Sequence, residues 1–396
     1  MPFRRGLNNG PVNKQGFLQG MNQLHCITGL STGGAEMALY RLLQGGLAHH
    51  QTAAVVSLTD DGTFGPRIRA LGFNVYALRS RPDLSFPIAI AKFARIGRLF
   101  SPDLIQGWMY HGNLAACFAA MIARRPPVVV WNVRQSLYDL AAEKPTTRYV
   151  IQANRWLSSR PKAVLYNSTL SRGQHERLGF ASARGMVIPN GFDLAAFAPD
   201  ARRRRATRGA AGASDADIVI GHVARLHPMK DHACFLRSAV QLLNQRHDLL
   251  YVMIGRNVFP DHPALSGIIP PPLLRYFVFL GERADVADWM QGMDMFCQSS
   301  SSEAFPNVLA EAMASGLPCV ATDVGDSADI IGKAGILVRP KDSHALALGI
   351  QAMLQKSAME RQAMGRAARL RIATHFGLNA VVERYRGLYQ DLVSSR

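Results

Sequence analysis

Short apolar runs rich in β-branched residues alternate with helical patterns along almost the whole 396-residue chain. This alternation favours parallel sheets, because a crossover helix must join each strand to its parallel neighbour. One series of runs begins near Gln23 and a second begins near Ile218. The sequence therefore predicts an α/β fold of two doubly wound, Rossmann-like domains that face each other across a cleft.

Breaks in this alternation set the predicted domain boundaries. Residues before Met21 lack the continuous apolar run of a secretion signal, and Met21 is an alternative start to Met1. An Ala-, Gly- and Arg-rich segment from Asp193 to Asp217 is interpreted as a linker region, and the last helical pattern, Leu378 to Val393, is long enough to pack back on the first domain. The predicted segments are a disordered tail (1–20), a first domain (21–192), a second domain (193–376) and a C-terminal helix (377–396).

Composition excludes several classes of protein. A hydrophobic content of 48% is too high for a chain that is mainly disordered, so we expect two substantial cores. The apolar stretch from Leu114 to Ala123 is well short of the roughly 20 residues that cross a membrane. Five cysteines stand singly in apolar surroundings without metal-site spacing. They are typical of buried thiols in a reducing compartment, and we expect a cytoplasmic protein.

The positive charge belongs to the first half of the chain. Residues 1–190 hold 22 Lys and Arg against 8 Asp and Glu, or +14, whereas residues 191–396 hold 23 against 20, or +3. This asymmetry favours an anionic partner for the first domain, such as a membrane surface, a phosphorylated lipid or nucleic acid. The predicted helix from Pro87 to Phe100 is basic and partly amphipathic, so it is compatible with an anionic bilayer and also with an ordinary surface helix.

Nucleic acid is the less favoured of these partners. The basic run from Arg202 to Arg205 has no interleaved aromatic residues and no recognition motif beside it. We interpret this run as the exposed face of a helix in the linker region. The expected anionic partner is therefore the inner face of a membrane, with peripheral attachment through the first domain and no nucleic acid.

The most informative segment is SSSEAFPNVLAEAMASGLPCVATDVGD, from Ser300 to Asp326. Pro306 suits the first position of a helix that ends near Ser315, where Gly316 and Pro318 follow. Free backbone N–H groups at such a helix start bind anions, phosphate above all. We therefore expect the peptide groups of Phe305, Pro306 and Asn307 to face a phosphate.

Two carboxylates flank this predicted phosphate site. Glu303 lies just before the helix and Glu311 lies in its second turn, where both can accept hydrogen bonds from hydroxyl groups. A phosphorylated sugar combines these two chemistries. On their own, two such glutamates are equally compatible with a solvated helix face.

The same segment resembles the donor-site motif of the retaining glycosyltransferases of family 4, two-domain enzymes of the GT-B fold. The spacing of Glu303 and Glu311 matches the pair of glutamates in that motif. ARLHPMKD, which ends at Asp231, and IPNGFD, which ends at Asp193, resemble two further motifs of the family. The resemblance extends from about Gln23 to the C-terminus.

The resemblance implies a role for each matching residue. Arg225 and Lys230 would neutralise the donor diphosphate, Glu311 would hold the ribose hydroxyls, and Glu303 would contact the donor sugar. Further donor contacts are implied for the loop residues Ala304, Phe305, Pro306 and Asn307, and for the backbone of Glu282 and Arg283 against the nucleotide base. The implied catalytic set is His111, Glu303, Arg225 and Lys230.

The first domain contributes candidates that are less specific. Gly33 and Gly34 precede a predicted helix and resemble the GGxE loop of the family, which approaches the donor; glycine pairs also simply make turns. His111 follows a predicted strand and precedes a helix predicted over Asn113 to Ala123, a position typical of a helix-end or core histidine as well as of a catalytic one. Arg134 lies at the end of its own strand and is a candidate acceptor or phosphate ligand.

Three features depart from the family pattern or compete with it. Ala304 stands where many relatives have glycine, and Gly325 is followed by Asp326 where the family usually has a second glycine. The sequence also contains an Asp-x-Asp pair, Asp215 and Asp217, but at the start of a strand, the wrong edge of a parallel sheet for a ligand. We therefore expect no metal site.

The sequence as a whole predicts a hexosyltransferase-type glycosyltransferase. It would move a sugar from a UDP- or GDP-linked donor to a lipid-linked or polysaccharide or lipopolysaccharide acceptor, with retention of anomeric configuration and without a metal or resident cofactor. One alternative is a nucleotide-sugar epimerase of the same fold. Another, from a different class, is a basic nucleic-acid-binding protein. The sugar, base, acceptor, linkage and oligomeric state do not follow from the sequence.

Overall fold

The computed structural model describes residues 20–80, 86–137, 140 and 144–396, and within them the chain forms two α/β domains. Except for Gly20, the predicted tail lies outside the described residues. Each domain is built on one parallel sheet with helices on both faces, because nearly every strand is buried on both sides. This arrangement confirms the predicted pair of Rossmann-like domains.

The first domain has a seven-stranded sheet in the order β3-β2-β1-β4-β5-β6-β7. Its strands are β1 (Gln23–Ile27), β2 (Ala53–Ser57), β3 (Asn74–Ala77), β4 (Leu104–Trp108), β5 (Val128–Val133), β6 (Ala163–Tyr166) and β7 (Gly185–Val187). Its helices are α1 (Gly34–Gln44), α2 (Phe64–Ala70), α3 (Phe86–Phe100), α4 (Met109–Met121), α5 (Pro145–Leu157) and α6 (Thr169–Leu178). The strand order reverses at β1 and β4, so the ends of these strands open a crevice.

The second domain has a six-stranded sheet in the order β10-β9-β8-β11-β12-β13. Its strands are β8 (Ile218–Val223), β9 (Leu249–Ile254), β10 (Phe277–Phe279), β11 (Met295–Gln298), β12 (Cys319–Thr322) and β13 (Gly335–Val338). Its helices are α7 (Ala201–Ala211), α8 (His232–Leu243), α9 (Val286–Gly292), α10 (Asn307–Ala314), α11 (Ser327–Ile331), α12 (Ser343–Leu354) and α13 (Ala358–Phe376). Its reversal point lies between β8 and β11, the strands that precede the two donor-site motifs.

Much of the segment from Asp193 to Asp217 is a helix of the second domain, α7, and Arg202, Arg203 and Arg205 lie on its exposed face as predicted. Asp200 caps the start of α7 by accepting the N–H groups of Arg202 and Arg203. Arg204 and Arg208 of α7 both pair with Asp294, at 2.5 and 2.8 Å. Arg204 and Arg208, one helical turn apart, therefore anchor α7 to the second domain through a carboxylate that the local sequence does not reveal.

The helix after β4 begins four residues earlier than predicted. α4 starts at Met109 rather than Asn113, which places His111 in its first turn. Glycine permits this close packing, because a Cβ on Gly112 would lie 2.4 Å from the carbonyl oxygen of Cys26 in β1. The strand thus passes directly into a helix that lies against the sheet.

The chain crosses between the domains twice. Phe192 leaves the first domain, donates its N–H to the carbonyl of Phe376 at 2.9 Å and accepts the N–H of Leu378 at 3.0 Å. The last helix, α14 (Leu378–Ser394), then returns to the first domain. Its buried side chains join the core there, and each contributes about 1.5–3 kcal/mol by burial. They are Leu378, Val381, Val382, Tyr385 and Tyr389.

None of the helices in the described part of the chain is long and apolar enough to cross a membrane.

Candidate active site in the interdomain cleft

A cavity of about 820 Å³ lies between the domains, where the carboxyl ends of both sheets face each other. Seven of the predicted site residues line it: Gly34, Arg134, Arg225, Glu303, Ala304, Phe305 and Asn307. The cavity thus joins the main donor-site motifs of the second domain to the glycine loop and Arg134 of the first. The other seven candidates are not among the described residues that line the cavity: Gly33, His111, Lys230, Glu282, Arg283, Pro306 and Glu311.

Two loops of the second domain interlock at the cavity wall. Ser299 donates its hydroxyl hydrogen bond to the backbone carbonyls of Lys230 and Asp231, at 2.9 and 3.0 Å. The N–H of Ser301 donates to the carbonyl of Met229 at 2.8 Å. Because these loops follow the adjacent strands β8 and β11, the sheet sets their spacing and the hydrogen bonds fix their conformation.

Lys230 and Glu303 form an ion pair across these two loops. The hydroxyl of Ser300 also donates to Glu303 at 2.7 Å, and the Ser300 carbonyl accepts the Thr322 hydroxyl. The carboxylate is therefore held in place before a ligand arrives. The cation that the resemblance assigns to the diphosphate is here neutralised by the glutamate assigned to the sugar.

Arg225 and Lys230 place two positive charges near His227 at this wall. Arg225 is exposed and lines the cavity beside His227, whose ring accepts the N–H of Met229 at 3.3 Å. Partial burial lowers the pKa of His227, and the charges of Arg225 and Lys230 lower it further. A neutral histidine between two cations is consistent with a wall that attracts an anion.

The helix after this loop begins one residue later than predicted. Pro306 is the residue before the first turn of α10, and Asn307 is the first helical residue. Phe305 is buried and stacks on Phe192 with ring centroids 6.1 Å apart, while its edge contacts Phe376. Phe192 and Phe376, which lie where the chain crosses between the domains, thus hold the start of α10 at the cavity. The first-turn N–H groups of α10, which have no partner within the helix, lie near the space for a ligand.

Glu311 makes a contact that the sequence does not predict. Its carboxylate pairs at 2.7 Å with Arg41 of α1 in the first domain, and both side chains are about 15% exposed. The Arg41 guanidinium also lies 5.3 Å from the centre of the Phe192 ring. The glutamate that the resemblance assigns to ribose is therefore engaged across the cleft in this arrangement of the domains.

The glycine loop of the first domain approaches the start of α10. A Cβ on Gly34 would lie 3.9 Å from the side-chain nitrogen of Asn307, so this stretch of backbone faces the other domain directly. Gly33 precedes α1 in an extended conformation that any residue adopts, and a Cβ there would meet the carboxylate of Glu36. Glu36 lines the cavity, and burial raises its pKa, with a smaller contribution from Asp60.

Arg134 connects three parts of the molecule. It donates to Asn132 at 3.1 Å, to Tyr385 of α14 at 3.1 Å and to Asn190, two residues before the crossing at Phe192. Asn190 in turn donates to Asn307 at the start of α10. Arg134 thus lines the cavity, where it can face a ligand. It also fixes the relative positions of α14, the segment before Phe192 and the start of α10.

His111 lies in the first turn of α4 and is not among the described residues that line the cavity. Burial lowers its pKa, so the ring is neutral near pH 7. Its neighbour Met109 does line the cavity, and it adopts a positive φ of 61°, a strained conformation for a residue with a side chain. The end of β4 therefore belongs to the site through Met109, and the role of His111 stays a prediction.

Glu282 and Arg283 follow β10 at the sheet edge, outside the described lining of the cavity. Arg283 is exposed and makes two hydrogen bonds to Asp285, at 2.8 and 2.6 Å, and its guanidinium lies 5.7 Å from the Trp289 ring. These contacts keep the loop in shape. The implied contact of its backbone with a nucleotide base stays a prediction.

Sequence reasoning missed several residues of the site. Glu36 belongs to the recognised GGxE loop, and His227 and Met229 lie inside ARLHPMKD, so a local signal existed for these three. Asn190 lies inside IPNGFD, so a local signal existed for it as well, whereas Lys341, with φ of 61°, and Asn167 reach the cavity from turns that carry no local motif. Arg41, and the partner of Asp326 in the first domain, become recognisable only when the two domains are placed together.

Among residues 20–80, 86–137, 140 and 144–396, no three His, Cys, Asp or Glu side chains gather in a way that would hold a metal ion. Asp217 accepts hydrogen bonds from the N–H and hydroxyl of Ser214, both at 2.7 Å, so it serves the turn before β8.

Comparison with known sequences covers both domains. The family model described as Glycosyltransferase Family 4 matches residues 32–196, and the model described as Glycosyl transferases group 1 matches residues 217–356. EpsF of Bacillus subtilis (strain 168), named as a candidate glycosyltransferase, is 26% identical over 310 residues, which are 76% of this chain and 78% of EpsF. LpcC of Rhizobium leguminosarum bv. viciae, a lipopolysaccharide core biosynthesis mannosyltransferase, is 28% identical over 266 residues, 65% of this chain and 71% of LpcC.

Comparison with solved structures agrees on the fold. The structure of Anabaena Alr3699/HepE in complex with UDP superposes with a TM-score of 0.83 at 23% identity and covers 94% of this chain and 100% of that one. WaaG, a glycosyltransferase involved in lipopolysaccharide biosynthesis, gives a TM-score of 0.71 at 16% identity and covers 93% of this chain and 99% of its own. With both family models matched and this architecture shared, the chain belongs to the family 4 and group 1 glycosyltransferases and has the GT-B fold.

Proposed function

We propose that this glycosyltransferase moves a sugar from a UDP- or GDP-linked donor to a hydroxyl group of a lipid-linked, polysaccharide or lipopolysaccharide acceptor, and that it retains the anomeric configuration. Relatives support this class of acceptor. LpcC is named for lipopolysaccharide core biosynthesis, and an Escherichia coli galactosyltransferase named for a diphosphoundecaprenol acceptor is 24% identical over 214 residues. Structures of HepE with UDP and with UDP-glucose support the donor class.

One observation carries the proposal: Arg225, the Lys230–Glu303 pair and the start of α10 converge on one side of a cavity whose other side belongs to the first domain. When the bond between the sugar and the diphosphate breaks, negative charge accumulates on the leaving group. Preplaced cations and free N–H groups stabilise that charge more in the transition state than in the ground state. A donor bound there would present its sugar to Glu303 and to the first domain.

The reaction is written as a front-face displacement. The bond from the anomeric carbon to the phosphate oxygen breaks, the bond from that carbon to the acceptor oxygen forms on the same face, and the acceptor proton passes to the departing phosphate. This route gives retention without a covalent glycosyl-enzyme. Lys230 and Arg225 perform the charge stabilisation, so the proposed reaction needs neither a metal ion nor a resident cofactor.

The decisive experiment is a screen of nucleotide sugars by thermal shift, followed by transfer assays with the strongest ligand and lipid-linked acceptors. A donor at about 100 times its dissociation constant adds about 2.7 kcal/mol to the free energy of unfolding. We expect binding of one or two nucleotide sugars and retained activity in EDTA. Turnover of donor without acceptor to an epimer would replace the transferase proposal with an epimerase, and salt-dependent binding of DNA alone would favour a nucleic-acid function.

The acceptor proposal extends to the cytoplasmic face of a membrane, and the helical layer formed by α3, α4 and α5 supports it. Between residues 86 and 166 the sequence holds eleven Lys and Arg against three Asp and Glu. The apolar side of α3 packs inward through Ala89 and Phe93, so the ordinary surface-helix interpretation holds for that side. Yet the outer side of the layer exposes large apolar side chains: Ile88, Leu99, Phe118, Met121, Ile122, Tyr149 and Trp156.

Among these helices, α5 has the side chains that best suit contact with an anionic membrane surface. Tyr149 and Trp156, 77% and 76% exposed, are seven residues apart and so lie on one face, beside Arg148 and Arg155 at the same spacing. Aromatic rings flanked by cations suit the headgroup region of an anionic bilayer. We expect Trp156→Ala combined with Tyr149→Ala to reduce sedimentation with anionic liposomes roughly tenfold, whereas Met359→Ala, at an exposed site of the second domain, has no effect. Equal binding of all variants would contradict this membrane face.

A further inference from the structure

The loop after β12 carries a buried acid that the donor chemistry does not use. Asp326 is 8% exposed and follows Gly325, whose φ is 58°. A Cβ on Gly325 would lie 2.5 Å from the carbonyl oxygen of Ala304, so only glycine allows the loop to lie this close to the sugar-binding loop. Asp326 occupies the next position, where the sequence pattern of the family usually has a second glycine.

The carboxylate of Asp326 reaches into the other domain. It accepts the backbone N–H groups of Thr169 at 3.1 Å and Leu170 at 3.4 Å, the first two residues of α6. N–H groups at the start of a helix have no partner within the helix, and the next one, from Ser171, is taken by the Ser168 hydroxyl at 2.9 Å. An acid of the second domain thus completes the cap of a helix in the first.

The backbone of Asp326 makes a second connection within its own domain. Its N–H donates to the carbonyl of Ala304 at 3.0 Å, and Ala304 adjoins Glu303, which is paired with Lys230. A short chain of hydrogen bonds therefore runs from the first turn of α6 through Asp326 to the loop assigned to the donor sugar. Asn167, two residues before α6, lines the cavity on the first-domain side.

We propose that Asp326 is a positioning residue that docks α6 of the first domain onto the Glu303 loop and so fixes the acceptor relative to the donor sugar. The inference rests on the proposed transfer reaction for its kinetic consequence, and on the interdomain hydrogen bonds alone for its structural consequence. A glycine at this position has no side chain and makes no such contact. Asp326 thereby adds a second carboxylate contact between the domains to the Arg41–Glu311 pair.

Burial of that carboxylate makes the contact easy to release. Desolvation raises the pKa of Asp326 to about 6, with a small further rise from Asp329, although the two N–H groups oppose the shift. The charge is therefore costly to bury and is held by two hydrogen bonds at a helix start. Such a balance suits a contact that must form and break once in each catalytic cycle.

The test removes the contact separately from each domain. Thr169→Pro deletes the N–H that donates to Asp326, and proline is well accepted at the first position of a helix after a residue in extended conformation, such as Ser168 with φ −147° and ψ 149°. Asp326→Asn removes the charge and offers one acceptor instead of two. Asp323→Asn changes an exposed acid of the same loop and serves as the control.

With UDP or GDP bound, we expect both variants to raise the radius of gyration in small-angle X-ray scattering relative to the parent and the Asp323 control. In transfer assays kcat should fall at least roughly tenfold while the KM for the donor changes less than about twofold, and the double variant should lose no more than either single one. Since the donor site lies within the second domain, a loss that only reflected damaged folding would raise the donor KM as well.

Unchanged scattering together with unchanged kcat in both variants would overturn the proposal. Additive losses in the double variant would also overturn it, because two residues that act through one contact cannot contribute twice. Scattering needs only a bound nucleotide, so the docking role is tested even if the parent protein transfers no sugar to the acceptors supplied. Failure of the parent to turn over would instead count against the proposed function.

Discussion

The two domains hold their halves of the cleft in different ways. In the second domain, the loops after β8 and β11 bond to each other, and the Lys230–Glu303 pair closes the arrangement within one domain. In the first domain, Arg41 pairs with Glu311, Asn190 with Asn307, and the start of α6 with Asp326. The second-domain half of the cleft is preorganised by contacts within its own domain, whereas the first-domain half also depends on contacts across the cleft.

We expect the largest loss of transfer activity from a substitution in the second-domain half of the cleft. Lys230→Ala removes a preplaced cation and leaves Glu303 without its ion-pair partner, and we expect kcat/KM for transfer to fall roughly 10²–10³-fold. Lys333→Ala, at an exposed site of the same domain, is the matched control and should keep the parent rate. If kcat/KM for Lys230→Ala fell less than threefold, the second-domain half of the cleft would not be organised around this cation.

The second effect is a pH dependence that crosses the cleft. The pKa of Asp326 is raised to about 6 in the folded protein from an ordinary value of 3.8, so the folded state binds the proton more tightly. The stability contributed by this group is full below about pH 4 and is lost as pH rises through 6, up to about 3 kcal/mol. The melting temperature of the parent minus that of Asp326→Asn should therefore fall between pH 4 and pH 7, and a flat difference would contradict the burial of this charge.

A smaller effect is expected from the ion pair between α1 and α10. Arg41→Ala, Glu311→Ala and the double variant form a cycle whose coupling in unfolding free energy should be about 1–2 kcal/mol, because both side chains are largely shielded from water. A nucleotide that takes Glu311 for its ribose must compete with Arg41. Arg41→Ala should therefore tighten nucleotide binding by about threefold to tenfold, and weaker binding would show that Arg41 itself contacts the ligand.

The smallest effect is expected at Arg283. Its two hydrogen bonds to Asp285 lie in solvent, where such pairs contribute little. The resemblance assigns only the backbone of this loop to the base, so Arg283→Ala should change nucleotide affinity less than about twofold. A larger loss in calorimetric titration would assign the side chain, and not the backbone, to the nucleotide.

Local chemistry explains how much of this molecule the sequence predicts. The strands were recognisable because burial leaves runs of apolar residues in the sequence. The bounds of α10 were recognisable because Pro306 and Gly316 start and end a helix through their local backbone conformation. Lys230 and Glu303 were recognisable for the same reason, because each belongs to a short sequence motif with fixed spacing.

The remainder depends on residues far apart in the chain. Arg41 and Glu311 are separated by 270 positions, and Asp326 and Thr169 by 157. Glu311 and Asp326 belong to recognisable segments, but nothing in the local sequence indicates their partners in the first domain. The pairing of Arg204 with Asp294 was not predicted for the same reason, since the two residues are 90 positions apart. The start of α4 was misplaced because the close packing of Gly112 against β1, and of Gly107 in β4 against Asn113 of α4, is a tertiary effect.

The double crossing at Phe192 and Gly377 has a consequence for how the protein is made. The core of the first domain includes Leu378, Val381 and Tyr385, which leave the ribosome long after the strands they cover. The second domain is complete by Phe376 and can fold during synthesis, while the first waits with part of its interior open until α14 arrives. A premature stop before Leu378 would therefore harm the domain that was translated first.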